Sequence, residues 1–395
     1  MKILVLSFYF QPDLCAGSFR TTSLVKELEL ALPSGSHIDV VTTLPNRYST
    51  FSAEAPELES RVGMEIHRIA LPRHQSGMAD QSKAFLAFSR QVMRHVEHRG
   101  YDLVYATSSR LMTAVLGAWT ARRKRALLYL DIRDIFVDTI KDVLPKHVVL
   151  FAKPLFSLLE RWAINRAVRV NLVSRGFAGY FSARYPGKPF SYFTNGIDEE
   201  FMLAASVISG NRIESDGPLT VLYAGNIGEG QGLHAILPAL ARRMGARLHF
   251  RIIGDGGRNA ALQKALVAAD VGNVEILQPM KREALIKAYQ EADILFLHLN
   301  DYDAFRKVLP SKLFEYAAMG KPVWAGIAGY AAGFVRSEIS NSAVFSPCNA
   351  EEAEQIFATL SLQNAPRIEF LKKYARGKIA KEMAEEIVMT AERGY

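Results

Sequence analysis

The residues best suited to chemistry lie in one stretch of the second half, Arg306-Lys307-Val308-Leu309-Pro310-Ser311-Lys312-Leu313-Phe314-Glu315-Tyr316-Ala317-Ala318-Met319-Gly320. A basic loop runs into a helix that opens at Ser311 and is stopped by Gly320. The helix start offers backbone N–H donors at Ser311, Lys312 and Leu313, and Arg306, Lys307 and Lys312 add cations. That combination suits a diphosphate. Glu315, one turn further in, is placed to accept hydrogen bonds from vicinal ribose hydroxyls. A second candidate is Ala224-Gly225-Asn226-Ile227-Gly228-Glu229-Gly230-Gln231-Gly232, a glycine-rich turn after an apolar run. Its spacing, G-x-x-G-x-G-x-G, is not the G-x-G-x-x-G of a dinucleotide fingerprint, so it reads as a phosphate- or sugar-binding turn. The loop Asp301-Tyr302-Asp303 with Arg306 precedes Pro310 and is expected to help choose the sugar.

The first half carries two more candidates. Gln11-Pro12-Asp13-Leu14-Cys15-Ala16-Gly17-Ser18-Phe19-Arg20 follows an apolar run and leads into a helix; Gly17 permits close approach of a ligand and the helix start could hold phosphate. Leu130-Asp131-Ile132-Arg133-Asp134-Ile135-Phe136-Val137-Asp138 packs four charged groups into eight positions after another apolar run. An acid such as Asp134 could orient an acceptor hydroxyl, with Arg133 pairing with it or with phosphate. The alternative is an internal Asp–Arg pair that closes the loop.

Positioning these loops requires alternating strands and helices. Strands are expected at Lys2–Phe10, Ile38–Thr43, Glu65–Leu71, Asp102–Thr107, Ala126–Ile132 and Val168–Ser174, with a helix at Thr21–Leu32. The second half restarts with strands at Leu219–Ala224, Leu248–Ile253, Val274–Leu277, Ile294–Leu299 and Pro322–Ala325. Helices Leu233–Met244, Ala260–Ala268, Arg282–Ala292 and Ser311–Met319 alternate with them. The fold class is therefore α/β: two Rossmann-like, doubly wound parallel-sheet domains facing a cleft. The division is drawn at residues 1–200 and 201–375, with a polar linker at Ser209–Pro218. Residues 376–395 are expected as a helix that packs back on the N-terminal domain.

Taken in order, the glycine-containing first loop, Phe193-Thr194-Asn195-Gly196-Ile197-Asp198, Tyr223-Ala224-Gly225-Asn226, Ile253-Gly254-Asp255-Gly256 and Pro310–Tyr316 resemble the retaining GT-B glycosyltransferases of family 4, the group 1 transferases, and most closely their O-antigen and capsule branch. The resemblance implies a nucleotide-sugar donor, with a UDP-sugar the favoured choice, as co-substrate, and neither metal nor other cofactor. Gly17, Gly225, Asn226, Arg306, Lys307, Ser311, Lys312, Leu313 and Glu315 would bind the donor. Asp134, Arg133 and Lys312 would serve catalysis, and Asp13, Arg20 and Asp131 would hold a lipid-linked or saccharide acceptor. Two departures stand out. Lys307 occupies the place of the first of two family glutamates, and Asn226 and Gln231 occupy the places of an arginine and a lysine. A nucleotide-sugar epimerase of the same fold, which needs no acceptor, and a degenerate transferase acting as a scaffold are the alternatives.

Composition agrees with a folded two-domain chain: 395 residues, 49% hydrophobic and 22% charged, which excludes disorder and coiled coil. The longest run without charge, Pro322 to Val335, is too short to cross a bilayer, and the first residues read as a buried strand rather than a signal sequence. Two distant cysteines fit a reducing cytoplasm. The net charge of +8 is uneven: residues through Glu200 hold 26 basic and 19 acidic side chains, a net +7. An anionic partner of the first half is implied. The stretch Lys141–Arg169, with Arg122-Arg123-Lys124-Arg125, mixes large apolar and basic residues and suits peripheral contact with an anionic inner membrane. No nucleic-acid reading motif accompanies the charge.

Overall fold

A computed structural model describes residues 1–45, 54–72, 78–108, 111–138, 146–206 and 217–393. The chain forms two compact units, Met1–Asn195 with Arg376–Tyr395, and Gly196–Ala375.

The first unit is built on strands β1 (Lys2–Leu6), β2 (His37–Thr43), β3 (Leu58–Arg61), β4 (Met64–Ile69), β5 (Leu103–Ser108), β6 (Leu127–Ile132), β7 (Arg169–Leu172) and β8 (Phe190–Ser191). Their order is β3-β4-β2-β1-β5-β6-β7-β8, parallel throughout except for β3, which pairs antiparallel with β4. Strands buried on both faces read as continuous apolar runs, and β1 does: Ile3, Leu4, Val5 and Leu6 are wholly buried. The apolar run goes on to Phe10, but the strand stops at Leu6. Phe8 leaves the ladder to pack against Phe85 and Phe88, and Ser7 Oγ donates to the Tyr9 carbonyl. Helices α1 (Ala16–Ala31), α2 (Met78–His95), α3 (Leu111–Lys124), α4 (Lys146–Arg166) and α5 (Ala178–Arg184) complete the crossovers.

The second unit has helix α6 (Glu199–Ala205) followed by β9 (Leu219–Ala224), α7 (Leu233–Met244), β10 (Leu248–Ile253), α8 (Asn259–Ala268), β11 (Val274–Leu277), α9 (Arg282–Glu291) and β12 (Ile294–His298). Then come α10 (Lys312–Ala318), β13 (Val323–Gly326), α11 (Gly329–Glu338), β14 (Ser342–Phe345), α12 (Ala350–Phe357) and α13 (Ile368–Tyr374). The sheet order β11-β10-β9-β12-β13-β14 reverses direction between β9 and β12, and crevices beyond the carboxyl ends of strands at such a switch are where ligands bind.

Helix α14 (Arg376–Glu392) returns to the first unit. Met383, Ala384, Ile387, Val388 and Ala391 recur at helical spacing and join Leu24, Val25 and Leu28 of α1 in one core. The division between units falls at Asn195–Gly196, earlier than the expected break after Glu200. The segment expected as the linker, Ser209–Pro218, does not divide them, and its residues 209–216 lie outside the described residues. The reason is that α6 packs into the second unit: Phe201 lies on Tyr289, ring centroids 5.8 Å apart, and under the Arg282 guanidinium at 4.8 Å.

A buried ion pair joins the layers of the first unit. Arg20, in α1, donates through Nε and Nη2 to Asp131 of β6 at 2.8 and 2.9 Å, and through Nη1 and Nη2 to the carbonyls of Thr194 and Phe193. Asp131 also accepts from Tyr105, Thr107 and Asn171. Burial works against the Asp131 charge, but Arg20 and these hydrogen bonds outweigh it and hold the carboxyl below its ordinary range. Removing one member of such a pair leaves the other charge buried and uncompensated, at a cost of about 3–5 kcal/mol. Arg20→Met is expected to lower the unfolding free energy by about that much in urea titration, and Arg20→Met with Asp131→Leu to recover most of it. A single-variant loss below about 1 kcal/mol would contradict the role assigned to the pair.

Candidate functional site: the glycine turn and Lys312

The turn after β9 sits on one side of the sheet's reversal and the end of β12 on the other. Three successive carbonyls of the turn are drawn to β12. Glu229 O accepts from Asn300 Nδ2 at 3.0 Å, Gly230 O from the Asn300 N–H at 2.9 Å, and Gln231 O from His298 Nδ1 at 2.7 Å. The His298 tautomer follows from its partners. Nε2 accepts the Cys348 N–H at 2.9 Å, so Nδ1 carries the proton and donates. Burial pushes the His298 pKa down to about 4, so the ring is neutral at pH 7. With their carbonyls fixed, the N–H groups of Asn226, Gly228, Glu229 and Gly230 have no acceptor among the described residues. Successive free amides in a tight turn form a concavity that binds anions.

Lys312 completes it. Gly225 has φ +145, and a Cβ there would overlap Lys312 Nζ and Cε. The lysine amine therefore lies directly over the backbone at the end of β9, 5.9 Å from the Tyr223 ring centroid. Gly254 is fixed by the same packing, because a Cβ there would run into the Gly225 carbonyl. Glu315, in the first turn of α10, accepts from the buried Tyr289 hydroxyl at 3.2 Å, and Tyr316 Oη accepts the Ala224 N–H at 3.2 Å. Turn, lysine and carboxylate thus share one scaffold.

Other expected residues are placed differently. The Leu313 side chain is fully buried, and its N–H and that of Phe314 donate to Pro310 O and Ser311 O, so the helix start offers fewer donors than expected. Ser311 is half-buried and makes no side-chain cap bond. Arg306 is 52% exposed and paired with Asp301 at 3.0 Å. Lys307 is half-buried in the single 3-10 turn Phe305–Lys307. The two positions where the resemblance places cations hold an amide pair, Asn226 Nδ2 donating to Gln231 Oε1 at 2.8 Å. The sequence reading missed Glu229, which accepts from Tyr302 Oη at 2.5 Å and pairs with Arg258, and it missed the stitching roles of His298 and Asn300. A lone His and Asn at a strand end carry no periodic or motif signal.

In the first unit, Arg20 and Asp131 are 5% and 0% exposed and fully engaged with each other and with the fold, which removes them from contact with an acceptor. Asp13 is also buried. The internal Asp–Arg pair considered for the loop is real, but its arginine is Arg20 rather than Arg133. Asp134 is exposed, and its Oδ1 accepts the Ile135 N–H at 2.8 Å. Asp134 lines a cavity of about 30 Å³ with Ser108, Phe136 and Glu160. Glu160 is buried, its pKa raised by burial against the Tyr180 and Tyr185 hydroxyls that bond it.

Two parallel-sheet α/β units of this kind define the GT-B class. The model of a glycosyl transferase 4-like domain matches residues 18–193, and that of glycosyl transferases group 1 matches residues 209–378. The chain belongs to the group 1 glycosyltransferase family. A putative colanic acid biosynthesis glycosyl transferase, WcaI of Escherichia coli strain K12, is 34% identical over 105 residues, which span 27% of this chain and 26% of that protein's length. Among solved structures, sucrose-phosphate synthase from Thermosynechococcus elongatus is 14% identical with TM-score 0.65, covering 100% of this chain and 97% of that one. HepE from Anabaena, in complex with UDP, is 17% identical with TM-score 0.58, covering 100% and 98%.

The positive φ at Gly225 and the amine above it give one expectation for the empty protein. Gly225→Ala should cost about 1–3 kcal/mol from backbone strain alone, and more if Lys312 cannot swing clear. Urea denaturation checks this, and a neutral substitution would contradict the close approach.

Proposed function

We propose that the chain transfers a glycosyl residue from a nucleoside-diphosphate sugar, a UDP-sugar in the favoured reading, to a lipid-linked or saccharide acceptor in the synthesis of a bacterial surface polysaccharide. The observation that carries this reading is the set of amides at Asn226, Gly228, Glu229 and Gly230, without acceptors among the described residues, with Lys312 over Gly225. The UDP complex of HepE and the colanic acid assignment of WcaI support the choice of base and pathway class.

In this reading the diphosphate rests on the turn amides and Lys312, and Glu315 accepts from the ribose hydroxyls. Fixed donors aimed at a leaving diphosphate stabilise the charge that develops as the glycosidic bond breaks, with no reorganisation at the moment of reaction. The donor's anomeric configuration is retained. The acceptor attacks from the face the diphosphate leaves, and a departing phosphate oxygen takes its proton. Neither a metal nor another cofactor is invoked, because Lys312 and the amides take the cation's part. Asp134 orients the acceptor hydroxyl. The reading is tested by thermal shift with UDP, GDP, ADP and CMP, followed by turnover with analysis of the product anomer. One nucleotide should stabilise the protein selectively. Glu315→Ala should abolish most of that shift, and Lys312→Ala should weaken binding by about 1–3 kcal/mol, roughly 5- to 150-fold in Kd. No shift with any nucleotide, or unchanged affinity in both variants, would sink it.

The acceptor's lipid would be met at a membrane surface. Among the described residues no helix is long and apolar enough to cross a bilayer. Helix α4 instead exposes Leu150, Leu155 and Leu158, with Trp162 6.4 Å from the exposed Trp119 of α3. Exposed Arg122, Arg123, Arg125 and Arg161 lie on the same two helices or just after them. An apolar face flanked by cations fits the surface of an anionic bilayer, which would hold the protein at the inner face of the inner membrane. Flotation should show the protein on vesicles of phosphatidylglycerol and phosphatidylethanolamine, weakened by salt and lost in Leu155→Glu/Leu158→Glu. Retention of the double variant on the vesicles would count against this face.

A further inference from the structure

The first unit carries a second concentration of positive charge, at the amino ends of β7 and β8. Helix α4 ends just before β7, and residues 185–189 lead from α5 into β8. Arg161 and Asn165 of α4, Arg184 of α5 and Lys188 line one open pocket there, of about 290 Å³. That is close to the lower bound of small-ligand sites, about 300 Å³. Among the described residues no acidic side chain lines it.

The walls of this pocket are held in place. Pro186 and Gly187 are the central residues of a turn closed by the Lys188 N–H on the Tyr185 carbonyl at 3.2 Å, and Gly187 has the positive φ, +78, that the second central position of a type II turn requires. Tyr185 is buried and anchors the turn by donating from Oη to Glu160 at 2.8 Å. Lys188 Nζ donates to the carbonyls of Asn165 and Ala167 at 3.1 and 2.7 Å, which leaves one of its three N–H groups unused. Burial lowers the Lys188 pKa. The Arg184 guanidinium is held over the Tyr180 ring, 4.3 Å from its centroid. Neither Arg161 nor Arg184 forms an ion pair among the described residues. The adjacent acid, Glu160, is 3% exposed and takes the hydroxyls of Tyr180 and Tyr185 instead. Cations of one sign around a concave wall focus an attractive field on an anion. Two guanidinium forks and an ammonium suit the oxygens of a phosphate.

The pocket's position separates it from the chemistry. Reactants in parallel sheets sit beyond the carboxyl ends of the strands, and this pocket lies at the amino ends. We propose that it binds the phosphate of an ester that is not a reactant, with Arg161, Arg184 and the remaining N–H of Lys188 as donors. This goes beyond the transferase reading and does not rest on it. The ester is either a phospholipid headgroup, because the exposed Leu158 lies one turn before Arg161 on α4, or a soluble phosphate ester.

Hydrogen–deuterium exchange of the full chain tests it, with inorganic phosphate as the probe, UDP present, and ionic strength held constant with chloride. Phosphate should protect residues 183–192. Arg161→Gln/Arg184→Gln should raise the half-saturating phosphate concentration there by about ten-fold or more, while protection of residues 224–232 by UDP stays unchanged. Both arginines are exposed; should the double variant melt early, Arg161→Gln alone should raise that concentration about three-fold or more. Protection of 183–192 no greater with phosphate than with chloride, or a half-saturating concentration in the variants equal to wild type, overturns the proposal. Vesicles separate the sources. Protection of 183–192 on phosphatidylglycerol vesicles, weakened in the double variant, assigns the phosphate to a lipid headgroup. Protection by glycerol 3-phosphate in solution, with none on the vesicles, assigns it to a soluble ester. A chain that bound no UDP but gave the arginine-dependent phosphate signal would keep this pocket and lose only the transferase reading.

Discussion

The second unit depends on where three carbonyls point. Glu229, Gly230 and Gln231 give their oxygens to Asn300 and His298 at the end of β12, which ties the glycine turn across the sheet's reversal, while the amides of Asn226, Gly228, Glu229 and Gly230 have no acceptor among the described residues. Free backbone N–H groups are normally a fault to be covered. Here their exposure follows from a network that uses a neutral, buried histidine as a rigid two-ended strut. Glycine is required because Lys312 lies where a side chain of Gly225 would be, and because the Gly225 carbonyl occupies the space of one at Gly254.

The first unit solves a related problem with charge. Arg20 and Asp131 neutralise one another deep in the fold and gather α1, β6 and the Phe193–Thr194 segment around one point, with Met383 of α14 against the same guanidinium. That pair takes up the buried carboxylate of the strand end from which Arg133 follows. The amide pair Asn226–Gln231 makes a similar point in the other unit. Where the resemblance places two cations, a neutral contact shapes the turn, and Lys312 lies over the backbone at Gly225.

Much of this architecture was legible from the chain. Strands Leu219–Ala224, Leu248–Ile253 and Val274–Leu277 fall where the apolar runs place them; the first two are inner strands of the sheet with buried apolar side chains, and the third is a half-buried edge strand whose Val and Ile still mark it. The short strands β3 and β8 were not legible. Leu58–Arg61 is mostly exposed and charged, and Phe190–Ser191 is two residues long. The position of α6 was missed because its attachment is tertiary, Phe201 on Tyr289 and beneath Arg282. Of the residues expected at the site, Gly225 and Lys312 lie against one another and Glu315 sits on the same helix as Lys312, whereas Leu313, Arg20 and Asp131, expected to contact substrate, are buried in the fold. A sequence shows that a charge follows a strand, and only packing shows whether another charge has already claimed it.

The most direct measurement is a crystal structure of the protein with UDP bound, read at the β-phosphate. The account predicts phosphate oxygens at hydrogen-bond distance, about 3 Å, from Lys312 Nζ and from amides of the turn Asn226–Gly230. A diphosphate ordered elsewhere, with that turn empty, would contradict it.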